Sequence, residues 1–93
     1  MFYPHELRFL RLNTPGPSGK MGGYQQFENW ILRNTDTASG SCLFDPVRLE
    51  RLMRYCKPRN GYGPGGPNGR LRNACIPALR RIGIDPAPDW RAP

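Results

Sequence analysis

The sequence predicts a small, mainly helical domain of about three amphipathic helices with a minor short β-strand pair. Three observations lead there. Apolar residues recur at helical spacing over three stretches, near 24–34, 45–57 and 69–83, and runs rich in Gly and Pro precede the first and separate the last two. The whole chain is only 93 residues, too short for a doubly wound nucleotide-binding domain or a barrel enzyme. At about 1.5 kcal/mol of entropy per ordered residue, so short a chain has little stability to spare.

The first twelve residues set Leu7, Phe9, Leu10 and Leu12 among Glu6, Arg8 and Arg11. The alternation is brief, and it accommodates either a short strand or one or two helical turns after Pro4; the strand is the expected form. These charges also interrupt the apolar core that a signal peptide needs, and no run approaches the roughly 18 apolar residues of a membrane span. A cytoplasmic protein without membrane attachment is expected. Residues 13–23 hold Pro15, Pro17 and four glycines, and are expected to form a loop.

Tyr24, Phe27 and Ile31 fall at i, i+3 and i+7 with Trp30 beside them, while Gln25, Gln26, Glu28 and Asn29 occupy the other side. That pattern is an amphipathic helix with an aromatic face. The small polar stretch 35–41 follows, and the segment 42–44 is the candidate partner for the N-terminal strand.

Asp45 before Pro46 is a helix start: the Asp carboxylate accepts orphan N–H groups, and proline tolerates the first helical position. Leu49, Leu52, Met53 and Cys56 then form one apolar face, and Arg48, Arg51 and Arg54 project on the opposite side with Tyr55 next to Arg48. The helix is expected to stop near Lys57, ahead of Pro58.

Eight of the twelve residues from Pro58 to Gly69 are Gly or Pro, which precludes a regular element there and leaves a stiff connector. A third helix is expected to follow, with Leu71, Cys75, Ala78, Leu79 and Ile82 on its apolar face. Pro77 inside it predicts a kink or a break into two short helices. Gly83 followed by Ile84 is a stop signal, and residues 85–93 read as an extended tail carrying Trp90. The predicted core is Phe27, Trp30, Ile31, Leu49, Leu52, Met53, Leu71, Leu79 and Ile82.

Charge is the main functional signal. The net charge of +7 comes from twelve arginines and two lysines against seven acids. Residues 1–47 sum to zero, residues 48–81 to +8 and the tail to −1. Such concentrated like charge opposes compaction and suits a polyanion; an ordinary solvated face is the alternative. The expected function is therefore non-enzymatic binding of DNA or RNA through phosphate contacts. The candidate residues are Arg48, Arg51, Arg54, Arg59, Arg70 and Arg72, with Tyr62 as a stacking residue and the Gly-rich loop between them as part of the clamp. Asn60, Asn68 and Asn73 could read a base edge, although asparagines at such places more often cap helices. A connector of about twelve residues departs from the three or four of a helix-turn-helix.

The second class of function is a protein-interaction module, such as a small regulator or inhibitor encoded by a virus or mobile element, docking its basic face on an acidic partner protein. Either could be oligomeric.

Other chemistries have little support. Gly61, Gly63 and Gly66 match a dinucleotide fingerprint, but without the strand that must precede it. Around Gly19 and Lys20, Thr14 and Met21 break the phosphate-loop pattern. One histidine, His5, and no convergent acids leave no catalytic constellation, so no enzyme, cofactor or metal is expected. Three cysteines, Cys42, Cys56 and Cys75, are separated by 14 and 19 residues. That spacing suits neither a disulfide framework nor a zinc site, so they are expected reduced, with two of them packed.

Overall fold

The computed structural model describes residues 2–36, 38–42, 45–57 and 65–86. Within them lie four helices: α1 (Pro4–Leu7), α2 (Gly23–Asn34), α3 (Pro46–Tyr55) and α4 (Pro67–Arg81). Helix α4 is the hub, packed by α1, α2 and α3 alike.

The reason is visible in its side chains. Leu71, Ala74, Cys75, Ile76, Ala78 and Leu79 are all fully buried, and at 100° per residue they cover more than half the helix circumference. A helix buried that widely needs neighbours on several sides, and its Ala and Cys positions let them come close. Phe2, Leu7 and Leu10 supply the core from the N-terminus, Phe27 and Ile31 from α2, and Leu52 and Cys56 from α3. Trp30, Leu49 and Met53 pack at its margin, whereas Ile82 is 49% exposed. Ile82 leaves the predicted core because the helix ends there: Gly83 turns at φ +87°, and Ile84 packs against the core in its place.

That ending is a Schellman motif. The Gly83 N–H donates to Arg80 O at 3.1 Å and the Ile84 N–H to Leu79 O at 3.0 Å, so two carbonyls of the last turn are satisfied. At the other end of the chain's middle helix, the Asp45 carboxylate caps α3 by accepting the Arg48 N–H at 2.9 Å. The Asn68 side-chain amide, buried at the start of α4, donates to Tyr55 O and closes the far end of α3. All three cysteines are buried and free.

Two expectations are corrected. The N-terminal strand and its pairing are absent among the described residues. Residues 4–7 form α1 instead, with Pro4 at its first turn and the Glu6 carboxylate accepting the Tyr3 N–H at 2.8 Å. The Phe2 N–H donates to Gly40 O at 2.9 Å, in the polar stretch that precedes the expected partner segment. A helical turn here packs α1 on α4 and buries Phe2, Leu7 and Leu10 in the core. Helix α4 also continues through Pro77 as one helix, so the break into two short helices does not occur: Ile76 and Ala78 on either side of the proline are fully buried, which holds the two halves together.

A polar network ties the loop after α1 to α2 and α4. Glu28 is fully buried, and Arg70 grips it with both Nε (2.7 Å) and a terminal nitrogen (2.9 Å). The same carboxylate accepts the Arg11 N–H at 3.0 Å and the Asn13 amide at 2.7 Å. Asn29 exchanges hydrogen bonds with the Asn13 backbone at 2.7 and 3.0 Å. A buried carboxylate with this many donors is compensated for the water it has lost.

Candidate functional site

Helices α2 and α3 meet along an aromatic seam. Tyr55 near the end of α3 packs against Tyr24 and Phe27 of α2, with ring centroids 4.6 and 5.5 Å apart. Phe27 and Trp30 lie parallel at 5.8 Å, one turn apart on the same face of α2. At Gly23 a Cβ would stand 3.0 Å from the Tyr55 hydroxyl, so a side chain there would push the tyrosine tip aside.

Above this seam is a groove of about 400 Å³ lined by Gly23, Gln26, Phe27, Trp30, Arg48, Arg51, Arg54 and Tyr55. The spacing of the arginines on α3 sets them along one rim. The Arg48 guanidinium lies over the Trp30 ring, 4.6 Å from its centroid, and also pairs with Asp45. The Arg48 backbone N–H, with burial opposing and the Arg48 guanidinium assisting, holds the Asp45 carboxyl below its ordinary value. Arg54 makes a loose pair with Glu50 at 3.6 Å, both side chains well exposed. Arg51 is exposed and has no ion-pair partner among the described residues.

On the other side of Trp30 is a second, shallower cleft of about 260 Å³, lined by Met21, Gln26, Asn29, Trp30 and Arg33. Trp30 and Gln26 belong to both, so the two clefts adjoin along α2.

The structure thus brings three of the expected contact residues together, Arg48, Arg51 and Arg54. Arg70 is removed from the clamp. Its side chain is 11% exposed and its guanidinium is held by Glu28, Gly65 O (2.8 Å) and the Asn13 side-chain oxygen (3.2 Å). The carboxylate bonds, against the cost of burial, raise its pKa further. Arg72 is half-buried on α4 and does not line the groove; its Nε finds no hydrogen-bond partner among the described residues. Arg59, Tyr62 and Asn60 lie outside the described residues, as does most of the Gly-rich loop. Of the other asparagines, Asn68 is the α3 closure described above.

Sequence reasoning assigned Phe27 and Trp30 to the core and so missed them as groove residues. A partial signal was present: Tyr24, Phe27 and Trp30 share the aromatic face of α2, and Tyr55 follows the arginines of α3. What the sequence does not show is that the α2 aromatics and α3 arginines share one groove.

Two more arginines of the basic segment are engaged elsewhere. Arg81 grips Glu6 at 2.6 and 2.7 Å and covers the Tyr3 ring at 4.0 Å, and Arg80 pairs with Asp85 at 2.9 Å. Much of the excess charge of residues 48–81 is therefore matched by acids supplied from outside the segment. Among the described residues no group of His, Cys, Asp and Glu side chains could hold a metal ion, and no helix is long and apolar enough to cross a membrane. Comparison with protein-family models, curated proteins and solved structures found no match.

Proposed function

We propose that the chain binds nucleic acid without catalysing a reaction, through the Arg48, Arg51 and Arg54 rim of the groove between α2 and α3. The observation that carries this reading is the juxtaposition itself: three exposed or half-exposed guanidinium groups along one edge of an aromatic floor. Arginine forks match phosphate oxygens, and aromatic faces accept bases. Asp45 and Glu50 do not oppose it strongly, because solvent-exposed ion pairs are worth only about 0–1 kcal/mol. A phosphate can take over either arginine at small cost.

The test is a fluorescence-anisotropy titration with DNA and RNA at two salt concentrations. Contacts to about two or three phosphates give a log–log salt slope of about −1.5 to −3. The double variant Arg51→Glu/Arg54→Glu, which alters exposed side chains only, is expected to lose binding at least tenfold while keeping its helical circular dichroism. Unchanged affinity in that variant overturns the assignment.

Trp30 and Tyr55 beside arginines are also the residue types of protein hot spots, which favours an acidic protein partner as the second reading. Apolar anchoring of that kind gives a much weaker salt dependence, so the same titration series separates the two.

A further inference from the structure

Trp30 stands between two adjoining clefts, and each is edged by arginine: Arg48, Arg51 and Arg54 on one side, Arg33 on the other. We infer that the ligand is single-stranded nucleic acid, held as two successive nucleotides, one in each of the clefts that adjoin at Trp30, while their phosphates meet Arg51 and Arg33. This rests on the nucleic-acid reading above and narrows it to a polymer form.

Two features select the single strand. The floor is aromatic and concave, so it offers stacking surface to a base that is already unstacked; a duplex keeps its base faces inside and presents phosphates to a convex or projecting element. The aromatic stack is also prebuilt. Phe27 lies parallel to Trp30 and the Arg48 guanidinium covers the indole at 4.6 Å, so an entering base takes the place of the guanidinium on the indole or lies on the guanidinium itself. The charges suit the sugar–phosphate chain. Arg51 is without an ion-pair partner among the described residues, Arg33 is exposed on the last turn of α2, and the acids bordering the groove, Asp45 and Glu50, are paired with Arg48 and Arg54. Among the described residues no carboxylate lines the second cleft. Every base has a π-face, so this arrangement grips strands with little sequence preference.

The experiment compares four ligands on the intact chain: a twelve-nucleotide oligothymidylate, the same backbone with abasic units throughout, a twelve-base-pair duplex, and polyglutamate of matched charge. The chain has two tryptophans, so the Trp90→Phe variant leaves Trp30 as the sole reporter of emission. The base-bearing strand is expected to bind at least tenfold more tightly than the abasic one and to quench Trp30, while the abasic strand leaves its emission unchanged. Arg33→Glu should lower the salt slope by about one. Trp30→Leu should bring the base-bearing strand down to the abasic level without changing abasic binding. Because the ligand comparison needs no variant, it stands even if the Trp30 substitution unfolds the chain.

Equal affinity for abasic and base-bearing strands, or tighter binding of the duplex, overturns the two-nucleotide site and leaves the phosphate-binding reading intact. Binding of polyglutamate as strong as that of the oligothymidylate points to an acidic protein and overturns both, as does absence of binding to all three nucleic acids.

Discussion

At the scale of single residues, the fold depends on positions whose importance is hidden in a one-letter string. Gly40 has φ +72°, and a Cβ on it would stand 1.8 Å from the Phe2 carbonyl oxygen. Gly83 has a similar φ, +87°, but open space around it. The two glycines therefore separate conformational strain from collision. Gly83→Ala is expected to cost about 1 kcal/mol, the penalty of a left-handed non-glycine residue. Gly40→Ala adds displacement of the N-terminal segment and should exceed about 3 kcal/mol in urea denaturation; similar losses for the two would remove the close approach as the cause. Buried charge gives the second case. Arg70→Met leaves the Glu28 carboxylate with only the Arg11 N–H and the Asn13 amide, and should cost about 3–5 kcal/mol. Adding Glu28→Gln neutralises the orphan while keeping an acceptor for those donors, so the double variant is expected to recover part of the loss. A double variant less stable than Arg70→Met would show that the ion pair is not the unit that matters.

At the scale of elements, what was legible in the sequence was local. Asp45 with Pro46, and Gly83 with Ile84, are signals contained within a few residues, and both ends form as those residues dictate. The apolar repeat placed α2, α3 and α4 within a few residues of their observed bounds for the same reason. Failures occurred where a tertiary partner decides. Residues 4–7 have too few apolar positions to choose between strand and helix alone, and packing on α4 chooses helix. Pro77 is a breaker by local rules, overridden by burial on both sides. The cap has a testable weight. Asp45→Ala removes the acceptor of the Arg48 N–H and should destabilise the chain by about 1 kcal/mol. It also frees the Arg48 guanidinium at the groove, so the variant is expected to bind nucleic acid no less tightly than the parent despite lower stability; a parallel fall in affinity would mean that Asp45 positions Arg48 for its ligand.

At the scale of the whole molecule, charge serves two purposes that composition alone does not separate. The concentration of arginine in residues 48–81 pointed to a polyanion, yet Arg70 and Arg81 reach back 42 and 75 residues to Glu28 and Glu6, and among the described arginines of that segment only those of α3 line the groove. Pairs that distant in sequence leave no local signature, which is why Arg70 was read as a phosphate contact. The Glu6–Arg81 pair joins the two ends of the described fold, and its contribution follows pH in a defined direction. Burial pushes the Glu6 carboxyl up, but the hydrogen bonds from Arg81 and the Tyr3 N–H, with the nearby positive charge, outweigh it and bring its pKa below the ordinary 4.5. A carboxyl whose folded pKa is lowered stabilises the fold fully above its unfolded pKa and loses that contribution as pH falls through the folded value. Glu6→Gln keeps the size of the side chain and removes the titration. Urea midpoints for the parent and Glu6→Gln are therefore expected to differ most at pH 7, to stay apart down to about pH 5, and to converge as the pH drops below 4.5. A gap that stays constant down to pH 3 would assign the Glu6 contribution to packing and neutral hydrogen bonds instead of to its charge.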